Sequence, residues 1–144
     1  MSIWFRPFTL EEIQQRGNGT MVEHIGIVIT GIGDDYLECT MPVDHRTIQP
    51  MGILHGGASV ALAETLGSLA ANFVIDREKK FCVGLDINAN HILSVPNGKT
   101  VKGRAKPLHI GSSTQVWSIE ITSEEGKLVC VSRLTMAVLD RNRK

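Results

Sequence analysis

The amino-acid sequence predicts an α+β fold in which an antiparallel sheet of about six strands wraps around one long central helix. One stretch, residues 56–75, repeats its apolar residues at helical spacing. Six other stretches have the length and apolar pattern of strands, and the elements follow one another in the order ββαββββ. Mostly short turns join them, which favours antiparallel neighbours packed around the helix.

The composition predicts one domain, residues 1–144, in a reducing compartment. Fifteen basic residues balance fifteen acidic ones, so no electrostatic footprint for nucleic acid or for an anionic membrane is present. The three cysteines are far apart and form no CxxC pair, which is typical of reduced thiols in a core. The N-terminus lacks the basic and apolar regions of a signal peptide, and the apolar helix contains a glutamate. We therefore expect a cytoplasmic protein without a membrane span.

The first third of the chain predicts a short helix followed by a β-hairpin. Thr9 and Glu12 have the spacing of a capping box at a helix start. Residues 24–31 alternate apolar and polar side chains, and residues 36–43 form a second run of strand length. Residues 44–55 contain proline and glycine and read as a loop, the kind of segment that often carries functional side chains.

The long helix has two predicted faces. Residues at spacings of three and four form an apolar stripe that we expect to face the core: Leu62, Leu66, Leu69 and Phe73. A second face consists mostly of small residues and is expected to line another backbone or a ligand channel: Val60, Glu64, Gly67, Ser68 and Ala71. Four further strands follow the helix, at residues 81–93, 100–109, 115–123 and 127–139.

The start of this helix is suited to polarising a carbonyl group. Unpaired N–H groups and the positive end of the helix dipole favour a developing oxyanion, and Gly56 and Gly57 allow close approach to the backbone. A glycine turn without a ligand is the plainer interpretation of the same residues. Glu64 is a carboxylate among apolar neighbours, and no lysine or arginine occurs between Pro50 and Asp76. It is either a structural carboxylate bonded to backbone or Ser68, or a catalytic one.

Eight residues separate Gly56 from Glu64, which places them about 12 Å apart along the helix axis. One helix therefore does not bring both groups to the same carbonyl, whereas two antiparallel copies do. The spacing predicts at least a dimer with its site at the interface.

The sequence disfavours two other chemistries, serine-hydrolase catalysis and metal binding. Residues 57–61 resemble the G-x-S-x-G nucleophile elbow of serine hydrolases, but that elbow belongs to a parallel α/β fold that this short, β-rich chain does not predict. The five histidines lack the spacing of a zinc motif, so no metal site is expected.

Several segments together resemble a known family. They are residues 39–44, Gln49 with Pro50, residues 54–68, residues 84–91 and residues 115–117. The chain is similar to the hotdog-fold acyl-CoA thioesterases of the phenylacetate and 4-hydroxybenzoyl-CoA type. Within them it most resembles the subgroup that hydrolyses aryl thioesters, such as 1,4-dihydroxy-2-naphthoyl-CoA in menaquinone synthesis or aryl groups misloaded in siderophore synthesis.

The resemblance implies a role for each matching residue. Glu64 would be the nucleophile or general base, the Gly56 N–H would bind the thioester carbonyl with His55 beside it, and Gln49 and Ser68 would assist. Residues around the CoA moiety would be Val83, Gly84, Asn90, His91, Ile92, Leu93, Pro107, Leu108, His109, Ile110, Gly111, Ser112 and Ser113. Residues 90–94 contain no arginine or lysine to pair with a phosphate.

The resemblance also implies partners and leaves alternatives. The substrate would be an acyl-CoA, with CoA as part of the substrate rather than a cofactor, and the assembly a homodimer or a dimer-of-dimers tetramer. A thioester on an acyl-carrier domain stays open as a substrate, and the acyl group and the dimer-or-tetramer choice are not determined. A hotdog 3-hydroxyacyl thioester dehydratase and a non-catalytic acyl-CoA-binding module are the alternative functions.

Overall fold

A computed structural model describes residues 1–142, so the last two residues of the predicted domain 1–144 lie outside the described residues. The helices are α1 (Leu10–Gln15), α2 (Met21–His24) and α3 (Gly56–Phe73). The strands are β1 (Val28–Ile32), β2 (Leu37–Pro42), β3 (Lys80–His91), β4 (Thr100–Ile110), β5 (Thr114–Thr122) and β6 (Leu128–Asp140). All pair antiparallel in one sheet of order β1-β2-β4-β5-β6-β3. The predicted fold class is confirmed.

The core lies between α3 and the inner face of the sheet. Leu62 and Leu66 of α3 are fully buried, and so are the alternating residues Trp117, Ile119 and Ile121 of β5. The buried residues recur at helical spacing in α3 and at every second position in β5, as expected for a helix that packs on one face of a sheet.

The structure refines the predicted division of α3 into two faces. Leu69 packs against the core as predicted, but it is only partly buried and also lines an open groove. Gly67 and Ala71 belong to the face that was predicted to line another backbone or a ligand channel, and both are buried. A Cβ on Gly67 would lie 2.7 Å from Leu134 Cδ2, so the small residues mark where the helix and sheet approach most closely.

The start of the first strand was predicted too early. Residues 21–24 form α2, and β1 begins only at Val28. The hydroxyl of Thr20 accepts a hydrogen bond from the Val22 N–H (3.2 Å), while the Glu23 carboxylate accepts one from the Gly19 N–H (2.6 Å). These two caps stabilise a helical turn that ends at His24, the residue at which the predicted strand began.

Strand β3 forms an edge of the sheet and contains a bulge. It pairs with β6 along its length, and the register shifts between Gly84 and Asp86. Before the bulge, Cys82 packs against α3, donating to the Ala71 carbonyl. After the bulge, the odd-numbered Ile87 and Ala89 pack against the core. The extra residue therefore switches which positions face α3.

None of the helices within residues 1–142 is both long enough and apolar enough to cross a membrane. The three cysteines are free and buried. Burial raises the pKa of Cys39 to about 12 and that of Cys82 to about 11, because the charged thiolate is poorly solvated in the core. These thiols therefore stay protonated and unreactive near neutral pH.

Candidate active site

The first turn of α3 leaves one backbone donor free. His55 is the N-cap residue, and its Nδ1 accepts a hydrogen bond from the Gly57 N–H (2.7 Å). The His55 carbonyl accepts from the N–H groups of Ala58 (3.0 Å) and Ser59 (3.2 Å). Within residues 1–142, no group accepts from the Gly56 N–H. This donor, at the positive end of the helix dipole, is available to a ligand oxygen.

A pocket of about 290 Å³ opens beside this donor. Gly56 and Gln49 line it together with Ile53, Leu54, Ser59, His91, Ile92, Leu93, Ser94 and Val129. The His91 ring lies against Gly56, since a Cβ there would be 2.9 Å from His91 Nε2. The structure thus brings together Gly56, Gln49 and part of the predicted CoA segment.

The loop before α3 holds Gln49 at this pocket. Buried Thr47 anchors the loop: its hydroxyl donates to the Pro42 carbonyl (2.7 Å), and its carbonyl accepts from the His55 N–H (2.8 Å). The Gln49 Oε1 accepts from the Met51 N–H. Since the amide oxygen is engaged, the Nε2 donors of Gln49 are the part of this side chain suited to a carbonyl ligand.

Glu64 lies on a second opening, a groove of about 590 Å³ along the exposed face of α3. The groove is lined by Met21, Val22, Gly57, Val60, Ala61, Glu64, Thr65, Ser68, Leu69 and Asn72. Within residues 1–142, the Glu64 carboxylate has neither a hydrogen bond nor an ion pair. The Ser68 hydroxyl donates to Met136 Sδ (3.7 Å) instead. Within the described part of one chain, neither of the bonds that the structural interpretation of Glu64 requires, to backbone or to Ser68, is present.

The two halves of the predicted site do not meet within one chain. Gly56 is the first residue of α3 and Glu64 the ninth, so a helical rise of 1.5 Å per residue separates them by about 12 Å. The 290 Å³ pocket and the 590 Å³ groove share no lining residue. The sequence predicted a site shared by two chains from this same separation between Gly56 and Glu64.

The other predicted CoA residues lie at two ends of the sheet. Residues 107–113 lie at the same end of the sheet as the first half of β3, with β5 and β6 between them, since His109 pairs with Val116, which pairs with Thr135, which pairs with Asp86. Residues 90–93 lie at the far end of β3, beside the 290 Å³ pocket. Seven residues of strand separate Gly84 from His91, roughly 20 Å. A single chain therefore does not gather all of these residues around one small group.

Sequence reasoning missed several residues of the two openings. Met21 and Val22 line the groove because α2 forms, and the Thr20-x-x-Glu23 spacing was the signal that could have revealed it. Asn72 and buried Ser59 gave no pattern that distinguishes them from ordinary helix residues. In the described part of the chain, residues 1–142, no cluster of His, Cys, Asp and Glu side chains could hold a metal ion.

The chain is similar to known thioesterases over most of its length. The family model described as Thioesterase superfamily matches residues 51–130, which include Gly56 and Glu64. The 1,4-dihydroxy-2-naphthoyl-CoA hydrolase of Escherichia coli is 56% identical over 137 residues, covering 95% of this chain and 99% of that protein. The proofreading thioesterase EntH of Cronobacter sakazakii is 53% identical, covering 95% of this chain and 98% of that protein.

A solved structure agrees over nearly the whole chain. The crystal structure of a thioesterase from Haemophilus influenzae matches with a TM-score of 0.93 and 52% sequence identity. The match covers 98% of this chain and 97% of that one, and so includes the sheet and α3. The chain therefore belongs to the thioesterase superfamily, has the hotdog fold and is a hydrolase of thioester bonds.

Proposed function

We propose that this enzyme hydrolyses an aryl-CoA thioester to the free acid and CoA, with Glu64 as nucleophile or general base. The observation that carries this proposal is the position of Glu64. Its carboxylate is the one charged group of α3, lies on an open groove and has no partner within residues 1–142. A lone carboxylate without a structural partner, facing a groove wide enough for a ligand, is typical of a group retained for chemistry.

The groups at the start of α3 would bind the thioester carbonyl. The free Gly56 N–H and the Nε2 donors of Gln49 border the same pocket, and the helix dipole adds positive potential. His55 would order this turn by accepting the Gly57 N–H. The Ser68 hydroxyl is bonded only to a thioether, a weak acceptor, so it is free to turn towards water or substrate.

A complete site would combine two chains. Antiparallel packing of two α3 helices would place Glu64 of one protomer opposite Gly56 and Gln49 of its partner. The free edge at β3, where Val83 and Leu85 are 41% and 60% exposed, supports such pairing because an unpaired strand edge favours another strand. We propose a homodimer as the smallest active unit, with a tetramer of two such dimers as its larger form.

The names of the relatives support an aryl substrate. One relative is a 1,4-dihydroxy-2-naphthoyl-CoA hydrolase and another is a proofreading thioesterase. We propose 1,4-dihydroxy-2-naphthoyl-CoA, and hence menaquinone synthesis, as the first candidate, and an aryl thioester on a carrier domain as the second. CoA would contact the residues that the resemblance implies at positions 83–84, 90–93 and 107–113, and no separate cofactor is proposed. The three unpaired, buried cysteines support a cytoplasmic location.

A thiol-release assay tests this function. The purified protein is given 1,4-dihydroxy-2-naphthoyl-CoA, benzoyl-CoA, acetyl-CoA and palmitoyl-CoA, and release of free CoA is measured. We expect the aryl thioesters to be hydrolysed fastest. Release of no CoA from any of them would contradict the proposal and favour a binding module or a dehydratase, neither of which frees the thiol.

The variant Glu64→Gln tests the role of the carboxylate. An amide neither attacks a carbonyl nor accepts a proton at neutral pH, so we expect kcat to fall at least about a hundredfold. Glu120→Gln, on the exposed face of β5, is the matched control and should keep the wild-type rate. A Glu64→Gln enzyme with half the wild-type rate would remove Glu64 from the mechanism.

A further inference from the structure

Gly84 lies directly against the Glu64 carboxylate. A Cβ on Gly84 would be 2.6 Å from Glu64 Oε1 and 3.7 Å from Glu64 Cδ. Its backbone does not need glycine, since the chain's positive-φ glycines are all elsewhere. Glycine matters at residue 84 because it has no side chain, and not because of its backbone conformation.

Because of the bulge in β3, Gly84 and the later residue His91 both face α3. Gly84 faces Glu64, whereas His91, seven residues later, faces Gly56. Positions an odd number apart lie on opposite faces of a regular strand. The register shift between Gly84 and Asp86 allows both residues to face α3.

The Asn72 side chain holds this part of β3 against α3. Its Oδ1 accepts from the Cys82 N–H (2.8 Å), and its Nδ2 donates to the carbonyls of Ser68 (2.9 Å) and Cys82 (3.3 Å). Helix and strand are thus tied together two residues before Gly84. The strand backbone is therefore a firm surface, so added bulk there would displace the carboxylate more readily than the strand.

We infer that Gly84 is a positioning residue, whose bare backbone sets where the Glu64 carboxylate lies in the groove. The inference rests on the proposed function of Glu64. With a methyl group at residue 84, the carboxylate oxygen must move by about 0.8 Å to reach an ordinary 3.4 Å contact. Misplacement of a reacting group by about 1 Å costs on the order of a hundredfold in rate. This role differs from the CoA contact that the family resemblance implies for Gly84.

The substitution Gly84→Ala, assayed with benzoyl-CoA or with 1,4-dihydroxy-2-naphthoyl-CoA, separates the two roles. A displaced carboxylate should lower kcat about a hundredfold and leave KM within about twofold, because the rest of the groove is unchanged. A lost CoA contact should instead raise KM. Gly31→Ala is the matched control: Gly31 lies in the other edge strand, beside its own register shift, and a Cβ there would be 2.9 Å from Glu38 Oε2. This control should keep the wild-type kcat.

The variant Glu64→Asp provides a rescue test, since a side chain one methylene shorter clears the added methyl group. At high enzyme concentration, Gly84→Ala should cost the Glu64→Asp enzyme no more than about twofold. An equal loss in both backgrounds, a wild-type kcat in Gly84→Ala, or an effect on KM alone would overturn the inference. So would a Gly84→Ala protein that fails to fold and does not regain its fold with Glu64→Asp. A wild-type enzyme that hydrolyses no acyl-CoA would refute the proposed function itself.

Discussion

The Gly56 N–H can be removed with little disturbance to the fold, by the substitution Gly56→Pro. Gly56 is the first residue of α3, a position where proline is favoured because its absent N–H is not needed within the helix. Proline also restricts the residue before it to extended conformations, and His55 already has φ −70° and ψ 130°. No internal hydrogen bond is lost, since no group within residues 1–142 accepts from this N–H.

The effect of the lost donor must be separated from the effect of added bulk. Any Cβ at Gly56 would lie 2.9 Å from His91 Nε2 and 3.1 Å from His91 Cε1, so the histidine ring must shift in both Gly56→Pro and Gly56→Ala. Only the proline variant also lacks the donor. The ratio of their kcat values therefore corrects for the shared Cβ and reports the replacement of the N–H by the proline Cδ. Removal of one oxyanion-hole donor costs roughly a hundred- to a thousandfold.

Both variants are assayed by thiol release, and thermal unfolding and light scattering are measured on the same samples. We expect two folded proteins of the same oligomeric state, with Gly56→Pro slower than Gly56→Ala by about two to three orders of magnitude. Equal rates in the two folded variants would show that the oxyanion is stabilised elsewhere. The proposed role of the helix N-terminus would then be refuted.

Two further predictions concern the assembly and the thiols. A one-to-one mixture of exchanged Glu64→Ala and Gln49→Ala subunits should regain about a quarter of the wild-type rate, because half of the dimers are hybrids with one intact site each. A rate no higher than that of the separate variants would argue for a site within one chain. The native protein at pH 8 should react slowly with a thiol reagent, since burial raises the pKa of its cysteines, whereas the denatured protein should react at all three. Rapid labelling of three thiols in the native state would contradict the buried positions.

The sequence predicted the large elements well because each has a strong local pattern. The helical repeat predicted a helix over residues 56–75, and α3 spans Gly56–Phe73. The two-residue repeat of β5 matches its alternating burial. The failure at α2 is instructive. Ile25, Ile27 and Ile29 are all buried, as the alternation predicted, yet only Ile29 belongs to β1. The pattern predicted burial correctly. The hydrogen bonds at Thr20 and Gly19 make residues 21–24 helical, and Gly26, with φ 78°, interrupts the extended backbone before Ile27.

The candidate site was predictable only in part, for a similar reason. Glu64 and the glycines are visible because they are unusual within an apolar helix, and their separation follows from the helical rise. The contact between Gly84 and Glu64 depends on the packing of β3 against α3 and on the bulge in β3. No pattern of residues in the sequence predicted the packing or the bulge. Long-range contacts of this kind are set by tertiary structure, to which a local reading of the chain has no access.

Strand β3 connects the two halves of the site in a way that bears on the proposed dimer. In each chain it contacts Glu64 near its start, through Gly84, and Gly56 near its end, through His91. If Glu64 acts on a carbonyl held by the partner's Gly56, each site contains the first half of one β3 and the second half of the other. The same two strands are exposed at the sheet edges that would pair between chains. Pairing would thus set the relative position of carboxylate and oxyanion donor, which gives a physical reason for assembly and catalysis to depend on one strand.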